Sequence, residues 1–452
     1  MRKVVRMRAP LVIAMAAAFA ITLSTAVCAA TIIVNSLVDP GTAGICALRD
    51  AIIAANSRTA TNACAAGTGN DTINFKLGGA IALSSTLPQV TDHQLTINGA
   101  ASPDITIYGG QAMVQIMQVA SGAGLKLKNL TIAHGVLFNA NGGGILNDGA
   151  LIISNSAFSD NAVVMTNGFG SAGGAIDNEG TLTVTNSMFS GNTAFFDGGA
   201  ILNDGTLKVT NSTFLDNATV EEAGGILNNG TLIVTNSTFS GNSNQAGNGG
   251  GIQNEGLLTV VNSTFSGNSC GTNNQFGNGG GIENDGLLTV INSTFSGNSA
   301  SHGGGGIFND QGLIVINSTF SRNSASAGAG GAISNSDFGS FKNTILAHST
   351  GGNCSGTIID ARYNISDDNS CGFSATGSHN NTDPKLDPAG LKNNGGPTQT
   401  IKLVSGSPAL DAIPLNWCTD QELNQVMTDQ RGEPRPDNGE NVCDIGALEL
   451  QR

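Results

Sequence analysis

Short apolar–polar alternations recur along this chain with a period near 25 residues. Aligning on the Asn that opens one of these runs gives Asn129, Asn155, Asn186, Asn211, Asn236, Asn262, Asn292, Asn317 and Asn343, with steps of 26, 31, 25, 25, 26, 30, 25 and 26 residues. Each unit holds three β-prone runs. The first is Gly-Gly-(Gly/Ala)-Ile, placing Ile201, Ile226, Ile252, Ile282 and Ile307 at one register. The second is Leu-x-Val, as in Leu207/Val209 and Leu232/Val234. The third is Ser-Thr-Phe, which gives a column of Phe158, Phe189, Phe214, Phe239, Phe265, Phe295 and Phe320. A period of two within a run sends its apolar residues to one face. Asn-Asp-Gly, Asn-Glu-Gly or Asn-Asn-Gly between runs specifies tight turns.

No run is long enough for a helix, and no unit can bury its apolar face alone. The pattern therefore predicts an all-β, right-handed, three-sided parallel β-helix. Every strand pairs with its copy one coil later at ~4.8 Å, so nine coils make a spine of about 40 Å. The Asn residues of Asn-Ser-Thr and of Phe-x-x-Asn are expected to form amide ladders up the stack. Open strand edges at both ends call for caps. At the N-terminal end, Cys46–Asn56 is the best helical window, with Leu48, Ile52 and Ala55 on one face. The chain thus divides into a leader (1–30), an N-terminal cap (31–70), coils (71–350) and a C-terminal cap (351–452).

Residues 1–30 read as a secretory signal peptide: Arg2, Lys3, Arg6 and Arg8, an apolar run from Leu11 to Leu23, then small residues. No segment is apolar for long enough to be a transmembrane helix. Without the leader's four basic residues the chain carries 15 Lys and Arg against 33 Asp and Glu. That balance argues against nucleic acid and anionic membranes as partners. Export makes disulfides reasonable, and the cysteines fall into local pairs: Cys46 with Cys64, Cys354 with Cys371, and Cys418 with Cys443. Cys270 is left over as a free thiol.

The segment Cys-Ala-Leu-Arg-Asp-Ala-Ile-Ile-Ala-Ala-Asn (46–56) resembles the signature of the CSLREA-domain family of exported bacterial β-helix proteins, with Ala47 and Asp50 in place of Ser and Glu. The Gly-Gly-Ala-Ile and Phe-x-x-Asn blocks resemble the polymorphic outer-membrane-protein repeats of surface adhesins. Asn-Asn-Gly-Gly-Pro-Thr-Gln-Thr (393–400), Gly-Ser-Pro-Ala-Leu-Asp-Ala (406–412), Thr-Asp-Gln-Arg-Gly (428–432) and Cys-Asp-Ile-Gly-Ala-Leu-Glu (443–449) resemble a choice-of-anchor module. The resemblance implies an exported protein, extracellular or attached to the outer membrane or cell surface. A surface glycan or a host or cell-surface protein is the implied partner. No barrel-like alternation or sorting tail follows residue 450, so the mode of anchoring and the oligomeric state stay open.

Fold-level analogy does not supply chemistry. The candidate catalytic acids are Asp160, Asp197, Asp216, Glu221 and Glu222. Glycoside hydrolysis needs two carboxylates about 5–9.5 Å apart, a spacing that adjacent coils offer to any stacked pair. The loop before Gly-Gly carries Asp197, Glu221 and Glu222, receives the longest insertions, and holds Phe169, Phe195, Phe196 and Phe276 as candidates for stacking on sugar rings. A second acidic column occupies the turns: Asp148, Glu179, Asp204, Glu255, Asp285 and Asp310. Ca²⁺ would relieve repulsion along it, although Asp-Gly and Glu-Gly turns need no metal. The acid motifs of β-helix galacturonases and the basic cluster of lyases are absent. The sequence therefore favours a non-enzymatic adhesive or glycan-binding scaffold, with a polysaccharide hydrolase or lyase as the alternative.

Overall fold

The computed structural model describes residues 29–100, 104–110, 113–166, 172–271, 275–326, 328–420, 424–437 and 439–451. All but the last two residues of the expected leader, and Phe169, lie outside the described residues. Three long parallel sheets run along the molecule, one for each repeated run. The Leu-x-Val sheet has 13 strands, from Thr31–Val34 to Ile359–Asp360. The Ser-Thr-Phe sheet has 12, from Gly79–Ala82 to Ile365–Ser366, and the Ile-x-Asn sheet has 10, from Met117–Val119 to Cys354–Gly356. Each strand pairs in register with its copy one coil away, for example Ile201 with Ile226 and Phe214 with Phe239. A fourth, four-stranded sheet of two-residue strands lies just after Phe-x-x-Asn, from Ala218–Thr219 to Ser299–Ala300.

The inward residues are those that the alternation selects. Ile201, Leu207, Val209 and Phe214 are all fully buried in one coil, and their copies are buried in the next. The phenylalanine rings from Phe158 to Phe320 stack with centroids 4.6–4.8 Å apart and planes within 8° of parallel. Strand spacing thus sets ring spacing, and the offset stack suits aromatic quadrupoles.

Two amide ladders accompany this column, and only one is the ladder that the sequence suggests. Asn161, Asn192, Asn217, Asn242, Asn268, Asn298 and Asn323, from Phe-x-x-Asn, are completely buried. Each amide from Asn161 to Asn298 donates to the next at 2.9 Å. The second ladder uses the Asn of the turn triplets: Asn147, Asn178, Asn203, Asn228, Asn254, Asn284, Asn309 and Asn335 are linked at 2.6–2.7 Å. The Asn-Ser-Thr column is different. Asn129 through Asn343 in that column sit in the left-handed region, with φ of 48–54°, which Asn tolerates at an outside bend. Its side chains bond coil to coil only toward the two ends, Asn129 to Asn98 at 2.9 Å, Asn155 to Asn129 at 3.4 Å, Asn186 to Asn155 at 3.3 Å and Asn343 to Asn317 at 2.9 Å. The adjoining Ser takes over the inward role: the backbone N–H of Ser212 donates to Ser237 Oγ at 3.1 Å.

The ends are capped. Helix α1 (Leu48–Ser57) buries Leu48, Ala51, Ile52, Ala54 and Ala55 against the first coil. Arg49 pins it, pairing with Asp39 at 2.9 Å and donating to the carbonyls of Ser85 and Thr86 at 2.7 Å. At the other end, residues beyond 384 fold back along the outer face of the Ser-Thr-Phe sheet. Gln430, fully buried, donates to Ser263 O and Thr264 Oγ1 and accepts from Thr294 Oγ1 at 2.6 Å. Asn292 donates to Thr428 O, and Ala447 N–H to Thr319 Oγ1. Inside this cap Arg435 and Glu449 form a buried pair at 3.1 Å. Three disulfides form as the cysteine spacing suggests: Cys46–Cys64, Cys354–Cys371 and Cys418–Cys443. Cys270 is a free, buried cysteine whose thiol is pushed up to about 12, mainly by burial.

Candidate functional site

The corner that enters the Ile-x-Asn sheet is built by Gly-Gly. The residue three before the Ile is left-handed, with φ of 63° at Gly173 and 59° at Gly198, a conformation that glycine adopts at little cost, and Ala223 takes it in the next coil with φ of 53°. The residue after it has no room for a side chain: a Cβ on Gly199 would lie 2.2 Å from the carbonyl oxygen of Gly224. This tight bend folds the preceding loop over the outer face of the Ile-x-Asn sheet. Ala172 and Ala223 pack there on Leu202 and Leu227.

The x position of Ile-x-Asn therefore points outward yet is covered. Successive coils place Leu146, Asp177, Leu202, Leu227, Gln253, Glu283, Phe308 and Ser334 at it. Asp177 and Glu283 are each only 2 % exposed. Neither carboxylate was visible as a candidate from the sequence, because the turn residues beside them carried the repeating acidic signal. An acid at a position otherwise held by Leu was the available clue.

Of the expected catalytic acids, the fold brings Asp197, Glu221 and Glu222 together and keeps Asp160 and Asp216 at a different corner. Asp197 and Glu222 are partners in a parallel bridge between adjacent coils. Burial, then the charges of Glu221 and Glu255, raise Asp197 to about 6. Burial, then Asp197 and Glu255, raise Glu222 to about 7. A carboxyl group in that range can hold a proton near neutrality. Asp160 and Asp216 have φ of 52° at the bend after Phe. Gly191 and Gly241 occupy that bend in the coils that follow them, and a Cβ on either would meet the preceding Asp Oδ1.

Phe195, Phe196 and Phe276 lie at the acidic corner. Phe195 and Phe196 are half-buried and meet edge to face, with centroids 5.1 Å apart. Their carbonyl oxygens accept from the N–H groups of Glu221 and Glu222, at 3.2 and 2.7 Å. Phe276, 80 % exposed, rests edge-on against His302. A shallow recess of about 320 Å³ lies beside them, lined by Glu221, Glu222, Ala246, Gly247 and Asn248.

The turn acids Asp148, Glu179, Asp204, Glu255, Asp285 and Asp310 are all exposed and follow one another along the outside of the stack, interrupted by Asn229. Asn229 donates to Asp204 Oδ1 at 2.7 Å. Among the described residues, no ion pair joins any acid of this face to Lys, Arg or His. Glu283 pays most visibly for that lack. Burial, then Asp285, Glu255 and Glu222, push it to about 9, and its Oε2 has no partner. After burial, the charge of Glu283 in turn helps raise the Cys270 thiol.

A folded-state value above the unfolded one makes stability greatest below the unfolded range near 4.5 and erodes it as pH climbs through about 9. Glu283→Gln should therefore leave the melting midpoint almost unchanged at pH 4 and raise it at pH 9. The expected gain is about 1–3 kcal/mol. Thermal melts across that pH range provide the check; equal shifts at both ends would contradict it. The neighbouring rung already accommodates an amide, Gln253.

The molecule has a second surface that no repeat pattern marks. Where the C-terminal cap ends, the Asn-Ser bend continues as an open groove of about 620 Å³, lined by Asn129, Asn155, Asn186, Asn211, Met188 and Thr213 among others. Its later equivalents, such as Asn292 and Thr294, are buried under the cap.

Residues 292–310 match the Chlamydia polymorphic membrane protein repeat. The match spans the Ser-Thr-Phe strand, ladder Asn298, the Gly-Gly corner and the Ile-x-Asn strand with Asn309. The chain carries a polymorphic-membrane-protein-type repeat on a parallel β-helix. Each matched feature has a structural task in this fold: a stacked ring, an amide rung, a tight bend and a second amide rung. No curated protein matches the chain.

Proposed function

We propose that this protein is an exported, surface-associated β-helix scaffold that adheres to glycan-bearing surfaces through the Gly-Gly corner, without turnover. The observation that carries this reading is the aromatic set on that corner. Phe195 and Phe196 are partly exposed and fixed by the next coil, and Phe276 projects from the same side. Rigid aromatic faces offer contact area at little entropic cost, which suits stacking on sugar rings. The membrane-protein repeat, the leader-like N-terminus and the CSLREA-like and choice-of-anchor-like segments support export and a surface location. Among the described residues no helix is long and apolar enough to cross a membrane.

Probing a panel of immobilised polysaccharides and host-type glycans with the protein tests the reading. At least one glycan should retain it, and the double variant Phe195→Ala/Phe196→Ala should bind about tenfold or more weakly. Retention by no glycan, or undiminished retention of the double variant, would overturn it. A second reading, a polysaccharide-active hydrolase or lyase, rests on one observation. Asp197 and Glu222 are on adjacent rungs, both raised toward neutrality, beside those aromatics.

A further inference from the structure

We propose that Asp177, Glu179 and Asp204 form a binding site for a single hard divalent cation, of which Ca²⁺ is the fitting member. One carboxylate oxygen from each lies within 4.8 Å of the others. A cation making oxygen bonds of ~2.4 Å spans such a set, and an all-carboxylate donor set selects Ca²⁺-like ions over soft metals. The register explains the convergence. Asp177 and Glu179 leave the same strand end two residues apart, and Asp177 pairs with Leu202, so Asp204 stands one rung from Glu179.

The turn acids alone would not make a site. Asp177 supplies the second observation. Its side chain is 2 % exposed and its Oδ1 has no hydrogen-bond partner. The preceding and following coils put Leu146, Leu202 and Leu227 at the same place, so an apolar residue fits there. Burying a carboxylate between two others, with one oxygen unpartnered, is costly unless something positive shares the space. Burial first, then the charge of Glu179, with Asp204 and Asp148 adding, raise Asp177 to about 7 against a side-chain hydrogen bond from Asn141. Asp204 Oδ1 accepts from Asn229, and among the described residues no cationic side chain pairs with any of the three.

Calorimetric titration of EDTA-treated protein with Ca²⁺ at neutral pH tests the site, with thermal melts alongside. The expected result is uptake of one ion in the micromolar-to-millimolar range and a raised midpoint. Asp177→Asn should weaken that binding at least tenfold and, without metal, should melt at or above wild type. Asp177→Leu, matching the neighbouring coils, should fold and be insensitive to Ca²⁺. Glu283→Gln, on the same sheet but away from the site, should keep the full Ca²⁺ response. The proposal is overturned by absent heat and midpoint shift in wild type. It is equally overturned by wild-type affinity in Asp177→Asn, or by a response lost in Glu283→Gln.

Discussion

Phe214→Ala should cost about 3–5 kcal/mol, the largest loss expected of any single truncation in the coils. The Phe214 ring is fully buried and lies between Phe189 at 4.8 Å and Phe239 at 4.6 Å, nearly parallel to both. Truncation removes its transfer energy and opens a hole that the stack cannot close. The rings on either side are held by strands whose spacing is fixed by backbone hydrogen bonds. Two ring contacts, worth about 0.5–1.5 kcal/mol each, are lost as well. Urea unfolding should show a lower midpoint, and Phe214→Leu should recover more than half of the loss. A loss below about 1 kcal/mol would mean that the column is not a packed core.

Asn217→Ala should rank next, at about 2–4 kcal/mol, although it removes only a small side chain. Asn217 Oδ1 accepts both the backbone and the side-chain amide of Asn192, at 3.1 and 2.9 Å. Its Nδ2 donates to Phe189 O at 3.0 Å and to Asn242 Oδ1 at 2.9 Å. Alanine therefore strands donors on one side and acceptors on the other, with no water to replace the missing partner. Asn217→Asp separates the two halves of this ladder. It keeps an acceptor for Asn192 but turns a second oxygen toward Phe189 O and Asn242 Oδ1. It should be worse than alanine at neutral pH and improve on acidification, when a protonated carboxyl can donate one bond. Urea midpoints at two pH values decide this, and a pH-independent loss would contradict the ladder.

Features carried by repetition were legible in the sequence. Seven phenylalanines at one register can only stack if strands pair with their own copies, and Phe-x-x-Asn marks a buried amide by the same logic. The disulfide pairs and the capping helix follow from local spacing. The Asn of the turn triplets was harder to read. Before Asp-Gly or Glu-Gly, Asn147 or Asn178 is already explained as a turn former, yet both are fully buried and bonded up the stack. The Asn-Ser-Thr column misled in the opposite direction: its Asn takes the left-handed bend, and the following Ser faces inward.

The candidate site was only half legible. Asp197, Glu221, Glu222, Phe195 and Phe196 lie together because they hold the same corner in adjacent coils, a neighbourhood visible from the repeat. Asp177 and Glu283 were hidden because their burial depends on how the preceding loop folds over the outer face of a sheet. Gln430 was hidden for a related reason. Its partners Ser263, Thr264 and Thr294 are more than 130 residues away, and no local pattern announces them.

In the proposed reading the stack is a scaffold whose exposed corner binds without chemistry. Two adjacent acids at one rung spacing do not by themselves make a catalytic pair, since every in-register pair on this helix has that spacing. The most direct measurement is prolonged incubation of the protein with the polysaccharides that retain it, followed by assays for new reducing ends and unsaturated products. The scaffold account predicts binding with no product above the buffer control, and identical traces for wild type and Glu222→Gln. Product that accumulates with wild type and disappears with Glu222→Gln would contradict it.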